Sequence, residues 1–420
     1  MTNPIPENER TRCQTPREVY EDFRALGYDV RYFRIPVTDE RSPKEVDFDT
    51  LTRYVLEAPA HAFLVFNCQM GRGRTTTAMI VATLLQVRRR ARGAGDGQVP
   101  HWALETFAPD PSMVSPFSSL RDMQSPLDVE LRERLKSGDY LVIRSLLRVL
   151  EKGAESKLQI DACIDACAEF QSLREGIVTY RERFLNAASE KQRNNLQRVV
   201  IDYLERYFML IAFTSYLNTA CPDDPGNGAA SQPALTFKDF VSNRSELYSM
   251  RERLLWHNPL TAMEVHTSYI EVDQVDKDRN QGESEGDEGI LEFIALRSGS
   301  VLGSHTILKE DHYPGLQSHI LSRLEGAPNF RRASDRLPVY GLAIPTVEGI
   351  RRVLSEIGVG PSAAETTSSV VWFNMREEPV VYLNGKPHVL REHARPFKNM
   401  QVSSAGGTDE VDENLFLASF

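Results

Sequence analysis

Apolar positions recur at helical spacing from Pro16 to Leu26, where Val19, Phe23 and Leu26 fall on one face. The segment has readable ends. Thr15 and Glu18 make a capping-box pair, Pro16 suits the first helical position, and Gly27 suits the stop. "DVRYFRI" then reads as a short strand cut by Pro36, and "TDERSPKEVDFDTLTRYVLEA" as a loop leading into a second helix. "AFLVFN" is a continuous apolar run of the kind that a strand buried on both faces of a parallel sheet requires. The next helix is predicted from Thr75 to Arg90. It is apolar on most sides and therefore buried.

From about Ser125 to Leu255 the pattern is helical throughout, with "ERYFMLIAFTSYLN" its most apolar stretch. This block is expected to pack on one face of the sheet. Further on, "LPVYGLAIPTVEGIRRVLSEIG" predicts a helix opened at Pro345-Thr346 and stopped at Gly358. "SSVVWFNMREEPVVYLNGKPHVLRE" predicts a buried strand, a turn, and a hairpin pivoting on Asn384-Gly385. The expectation is an α/β fold with a central, mostly parallel sheet flanked by helices, and an all-helical extension. Its divisions are a flexible leader over 1–14, a first half-domain over 15–124, the helical extension over 125–270, a linker over 271–289, a second half-domain over 290–400, and a weakly patterned tail over 401–420.

Composition narrows this picture in a few places. A chain of 420 residues usually holds two or three domains. Its longest apolar stretches, around Tyr207 to Phe213, fall short of a bilayer span, so no transmembrane segment is expected, and peripheral contact with a membrane stays open. "MTNPIPENER" lacks the basic-then-apolar pattern of a secretory signal, and five cysteines without framework spacing suit a reducing compartment. A cytoplasmic protein is expected, with the nucleus open. The formal charge of −10 is uneven: eight acidic and two basic residues lie between Glu271 and Gly289, in a linker expected to be disordered. The rest is only mildly acidic, and a local basic pocket can attract an anion whatever the total.

The chemistry concentrates in "NCQMGRGRTTT", between the "AFLVFN" strand and the next helix. Gly71 and Gly73 let backbone N–H groups converge. The helix N-terminus favours an anion, and Arg74 can give two parallel hydrogen bonds to phosphate oxygens. The same surroundings favour a thiolate at Cys68. A nucleotide-binding P-loop would end in Gly-Lys-Ser/Thr at a longer spacing, and a dinucleotide fingerprint needs a third glycine. A sulfurtransferase also places a cysteine at such a loop, but the "GxGRT" ending favours phosphate. A buried structural cysteine is the ordinary alternative for a lone thiol, and the whole Cys-x5-Arg-Thr pattern argues against it. Arg88, Arg89, Arg90 and Arg92 suit the C-terminal end of a helix better than a nucleic-acid surface. Cys163 and Cys167, four apart, are expected in the core, since no further metal ligands stand near them. Cys13, Cys221, Asp311-His312 and His388 have no evident partner in sequence.

"NCQMGRGRTTT" resembles the signature loop of the cysteine-dependent, protein-tyrosine-phosphatase-like superfamily. "YFRIPVTDERSPKEVDFDTL" followed by "FNCQMGRGRTTT" resembles, more narrowly, the paladin group, related to bacterial phosphatase-like phytases. The superfamily's usual histidine before the nucleophile is Asn67 here, a change the paladin group shares. The resemblance implies a cysteine-phosphatase-like fold and a metal- and cofactor-free hydrolysis of phosphomonoesters. Cys68 would attack phosphorus, while the amides of Gln69, Met70, Gly71, Arg72, Gly73 and Arg74, with the Arg74 guanidinium, hold the oxygens. Thr75 would donate to the departing thiolate. Asp39 matches the general-acid position, with Glu40 the adjacent alternative. Arg72 is either an extra cation for a highly charged substrate or an exposed arginine. Implied substrates are inositol phosphates, phosphoinositides or, third, phosphoproteins. The competing reading is a phosphate-binding pseudophosphatase or scaffold.

One feature of that resemblance is out of order. In the paladin group a unit opens with "GAPNFR", passes through a "YG-x-A-x-PT-x-x-G" helix and "NxREEPVVYxNGxPxxLRE", and only then reaches the nucleophile. Here these motifs begin at Gly326, Tyr340 and Asn374, after it. Either the halves are unmated pieces of a repeated chain, or residues 326–396 fold back so that "VVWFN" lies beside "FLVFN". The second is favoured because an open apolar sheet edge is costly. Arg376 and Glu377 would then support the fold or the site from behind.

Overall fold

The computed structural model describes residues 13–93, 126–220, 235–256, 306–311, 324–361 and 368–392. The first twelve residues, nearly all of the loop expected over 93–118, the acidic linker and the tail lie outside the described residues. The chain opens with β1 (Cys13–Gln14), α1 (Pro16–Ala25), β2 (Val30–Val37), α2 (Glu45–Glu57), β3 (Phe63–Asn67) and α3 (Gly73–Gly93). The helical block follows: α4 (Pro126–Lys136), α5 (Leu141–Val149), α6 (Gly153–Ala166), α7 (Leu173–Leu185), α8 (Glu190–Thr219), α9 (Phe237–Ser242) and α10 (Ser245–Trp256). Then come β4 (Thr306–Glu310), β5 (Arg331–Ser334), β6 (Leu337–Leu342), α11 (Val347–Glu356), β7 (Val370–Arg376), β8 (Val380–Leu383) and β9 (Lys386–Glu392).

The main sheet has the order β2-β7-β3-β6-β5. β3 pairs in parallel with β7 on one side (Val65 opposite Trp372, Asn67 opposite Asn374) and with β6 on the other (Leu64 opposite Val339, Asn67 opposite Leu342). β2 runs parallel to β7, and only the edge strand β5 is antiparallel. The fold is therefore α/β with a mostly parallel sheet, and both neighbours of the apolar β3 come from the far end of the chain. Leu64, Val65 and Phe66 are fully buried by this arrangement. Without β6 and β7 the strand would be open along both edges.

Alternation along the strands divides two cores. Leu64, Phe66, Val371 and Phe373 face α2, α3 and the helical block, with the Phe66 and Phe373 rings stacked 4.8 Å apart. Val65, Val370 and Trp372 face the other way, onto Val19, Tyr20 and Phe23 of α1 and Ile350, Val353 and Leu354 of α11. Each of these two helices shows a capping residue that is legible in sequence. Thr15 and Glu18 form a reciprocal capping box, and the Thr346 hydroxyl accepts from the Gly349 amide at 2.9 Å. Gly27 and Gly358 follow them with left-handed backbone, φ 93° and 78°.

Several expectations shift by a few residues, each for a local reason. β2 is not cut by Pro36. It continues to Val37, with its register shifting between Arg34 and Val37, because an edge strand tolerates a residue without an N–H. α3 starts at Gly73, two residues before the expected start, since the loop itself supplies the first turn. The end of the expected leader, Cys13–Gln14, is a short strand on β8. The second sheet, β1-β8-β9-β4, is antiparallel, and its hairpin turns on Asn384 and Gly385, both left-handed (φ 49° and 80°), as a two-residue turn between twisted strands requires. In the arginine run, Arg88 donates to Asn218 and the Leu217 carbonyl, and Arg89 to the Ala58 carbonyl at 2.9 Å. These cations thus serve the C-terminal ends of α8 and α2. Among the described residues no helix is long and apolar enough to cross a membrane.

Candidate active site

In an open parallel sheet the crevice lies beyond the carboxyl ends of the strands. Here that edge gathers the loop after β3 (Cys68–Arg72), the turn after β7 (Glu377–Pro379), the segment after β6 (Ala343–Thr346) and the loop after β2 (Thr38–Lys44). Three successive carbonyls of the β3 loop are held from outside. The Gln69 carbonyl accepts from the Ile344 amide (3.1 Å), that of Met70 from Asn329 Nδ2 (2.7 Å) and that of Gly71 from Arg331 Nη1 (2.8 Å). In a planar trans peptide the N–H points opposite to the C=O. The amides of Met70, Gly71 and Arg72 are thereby turned toward the inside of the loop. Gly71 has φ 68°, and a Cβ there would sit 2.4 Å from Ala343 N and Leu342 C. Gly71→Ala is accordingly expected to lower stability by ~2–3 kcal/mol, read as a drop in Tm, with loss of phosphate binding alongside it.

Arg74 is buried at 5% exposure. Its Nη2 lies 3.0 Å from Asp39 Oδ1, and its Nη1 donates to both oxygens of Glu378, at 2.8 and 3.0 Å, and to the Val37 carbonyl at 3.1 Å. Glu378 also receives Arg376 Nε at 3.2 Å, Arg376 pairs with Asp311, and Asp311 Oδ1 accepts from Gln69 Nε2 at 2.8 Å. A buried chain of charges thus leaves the loop at Arg74 and rejoins it at Gln69. Burial works against the Glu378 carboxylate, but Arg376 and Arg74 hold its pKa down to about 2. Burial likewise opposes the charge on Arg74, and Glu378, the Cys68 sulfur and Asp39 outweigh it, so that the proton is held more tightly than usual.

The other expected residues take these places. Cys68 is buried at the end of β3. Met70 is exposed, so its contribution to the loop is its backbone. Arg72 is half-buried, and its Nε has no hydrogen-bond partner. Thr75 was expected to serve the thiolate. Its hydroxyl donates here to the Leu342 carbonyl at 3.4 Å, because the end of β6 lies against the first turn of α3. Asp39, not the exposed Glu40, faces Arg74. The buried Asn67 accepts from Trp372 Nε1 at 2.9 Å and donates to Asn374 Oδ1 at 3.4 Å, so its amide is committed to β7. Cys163 and Cys167 are buried in the helical core, and burial pushes the Cys167 thiol up to about 12, despite the Thr83 hydroxyl 3.7 Å away.

Three side chains at this edge were not singled out from sequence, Glu378, Arg331 and Arg206, and Asp311 was named there without a partner. The first stands in the "REEP" motif, where an acidic pair directly follows a buried strand. Arg331, in "GAPNFRR", is fully buried against the loop. Burial lowers its pKa to about 10, and it donates to Thr76 Oγ1 at 2.8 Å as well as to the Gly71 carbonyl.

The loop carrying Asp39 is tied to α8 by Arg41 and Asp202, 3.5 Å apart. Burial pushes Asp202 up to about 6, against the pull of Arg41 and Arg206. An acid whose folded pKa is raised binds more protons folded than unfolded, so stability falls as pH rises through that window. The Tm is expected to rise between pH 7 and pH 5, and the rise should be smaller in Asp202→Asn. An unchanged rise would remove Asp202 from the account.

Comparison with known proteins follows the same lines. The protein-tyrosine-phosphatase-like phytase family, described by the words "Inositol hexakisphosphate", matches residues 2–86 and 373–414. Paladin of Homo sapiens is 26% identical over 403 residues, covering 92% of this chain and 38% of its own length. Paladin of Danio rerio is 24% identical over 410 residues, covering 93% and 39%, and Paladin of Gallus gallus is 32% identical over 215 residues, covering 49% and 22%. The chain therefore spans about two fifths, or less, of the length of these relatives. No solved structure matches. With a phosphatase-like signature loop at the carboxyl edge of a mostly parallel sheet, and this likeness along most of its length, the chain is similar to the paladin group of protein-tyrosine-phosphatase-like, phytase-like proteins.

Proposed function

We propose that the chain is a cysteine-dependent phosphatase that hydrolyses phosphomonoesters of inositol phosphates or phosphoinositides through a cysteinyl-phosphate intermediate. The observation that carries this reading is the loop itself: inward-turned amides, Cys68 at its start, and a buried Arg74 fixed by Glu378 with Asp39 alongside. A phosphate seated on these amides would take Arg74 Nη2 from the Asp39 carboxylate and free that group to take up a proton from solvent. Cys68 Sγ then attacks phosphorus as the P–O bond to the leaving group breaks, and protonated Asp39 gives its proton to the departing oxygen. In the second step water attacks phosphorus, the S–P bond breaks back to a thiolate, and Asp39 takes the proton from water. The family's description supports an inositol polyphosphate as the substrate class.

A phosphate-binding protein without turnover is the second reading. Asn67 favours it, because the amide that replaces the superfamily's histidine is hydrogen-bonded to Trp372 and Asn374. Release of inorganic phosphate from inositol hexakisphosphate by the purified chain, at mildly acidic and neutral pH, separates the two. Turnover supports the enzyme. Saturable binding without release would replace it with the binding protein.

A further inference from the structure

Arg206 lies in the buried middle of α8 at 4% exposure, and none of the chemistry above uses it. Its guanidinium stands against the first residue of α3: a Cβ added to Gly73 would meet Arg206 Nη1 at 3.2 Å. The group is spread over the Tyr203 ring, 4.6 Å from its centre, which fixes its plane. Its Nε has no hydrogen-bond partner, and among the described residues no hydrogen bond or ion pair reaches this side chain.

The other buried arginines at this edge are spoken for. Arg74 is held by Glu378 and Asp39, Arg376 by Asp311 and Glu378, and Arg331 by the Gly71 carbonyl and Thr76. Asp202, one turn back, is within electrostatic reach of Arg206, but its ion-pair partner is Arg41. A buried donor group left unpaired costs stability, and such groups in native proteins call for an explanation. Here Nε is the buried donor without a partner, and Nη1 of the same guanidinium borders Gly73, next in sequence to Arg74, where the N-terminus of a 21-residue helix already favours negative charge. Arg72, on the other side of Gly73, likewise has a buried Nε without a partner, as do Arg74 and Arg331, whose Nη groups are engaged.

We propose that Arg206 anchors a second anion subsite beside the phosphate loop and takes a phosphate other than the one seated on Arg74. The ligand class is a molecule carrying at least two phosphomonoesters on neighbouring positions, either a free inositol polyphosphate or the headgroup of a polyphosphorylated lipid. The inference rests on the reading of the Cys68–Arg74 loop as a phosphate cradle, and binding rather than turnover tests it.

In a Cys68→Ser background, inorganic phosphate, inositol hexakisphosphate and vesicles containing phosphatidylinositol bisphosphate are titrated with and without Arg206→Gln. The substitution is expected to weaken the polyphosphate at least ~10-fold and to change inorganic phosphate less than ~2-fold. That loss on the soluble polyphosphate assigns the subsite to a free ligand, and on vesicles alone to a lipid headgroup. Equal weakening of phosphate and polyphosphate makes Arg206 a support of the loop and overturns the subsite, as does no change in either. If the parent binds neither anion, the cradle reading itself falls. Should Arg206→Gln fail to fold, Arg206→Lys carries the test. It keeps the charge but loses the planar fork, so polyphosphate binding drops severalfold while phosphate binding holds.

Discussion

Replacing Cys68 by serine is expected to lower phosphomonoester turnover by at least ~10⁴-fold while leaving phosphate binding intact or stronger. The two effects have separate causes. A serine hydroxyl in this loop keeps its proton and has no adjacent base, so the bond to phosphorus does not form. The cradle does not depend on the sulfur. Its shape comes from the left-handed Gly71 and from carbonyls held by Ile344, Asn329 and Arg331. The Cys68 sulfur is also one of the groups that make Arg74 hold its proton more tightly. In the proposed mechanism the attacking sulfur is a thiolate, and a neutral hydroxyl in its place would not repel an incoming phosphate dianion. Steady-state release from p-nitrophenyl phosphate and inositol hexakisphosphate, beside calorimetric titration with inorganic phosphate, reads both effects. Turnover that survives the substitution would end the cysteinyl-phosphate mechanism. Equal silence of the two proteins, with phosphate binding preserved, would favour the binding protein.

What could be read from the chain alone was local or periodic. The Thr15–Glu18 capping box, the Asn384-Gly385 hairpin and the continuous apolar run of "FLVFN" each depend on neighbours a few residues away, and each appears in the structure as such. The glycines of the loop belong to the same class, because a positive φ at Gly71 is a property of one residue. The partners of the loop are of another kind. Glu378 lies 304 residues from Arg74, and Asp311 lies 242 from Gln69. Nothing in local pattern says which of two adjacent glutamates turns inward, or that Asp311 ends on the phosphate loop. Arg206 was hidden by its surroundings, a charged residue in a run whose apolar neighbours are all buried. Periodicity reads such a stretch as core and passes over the charged side chains, Asp202, Glu205 and Arg206, that are buried with it. Pro36 misled in the opposite direction. Its rule about interrupting strands applies to central strands, and edge position is a property of the assembled sheet.

Glu378→Gln is expected to cost ~3–5 kcal/mol of stability and about a hundredfold in turnover. The carboxylate is the shared anion between two buried guanidiniums, Arg74 and Arg376, and Asp311 and the partly exposed Asp39 pair with them as well. Glutamine keeps the size and one acceptor but not the charge, and it leaves two cations facing each other across a dry space. The pH dependence follows from the depressed acidity of Glu378. Its folded pKa of about 2 lies below the ordinary glutamate value of 4.5, so its stabilising contribution is complete above pH 4.5 and is lost as pH falls toward 2. The stability gap between the parent and Glu378→Gln should therefore be full at pH 7 and narrow steadily below pH 4.5. The adjacent Glu377 is the natural control. Burial raises its pKa, with repulsion from Glu378 adding to that, so charge at this position already works against the fold. Glu377→Gln is expected to change stability little or to raise it slightly, with turnover within a few-fold. Denaturation curves at pH 7, 5 and 3 for the three proteins read the contrast. Equal losses in the two variants would mean that the turn after β7 matters only for its packing, and that Arg74 is positioned without the buried carboxylate.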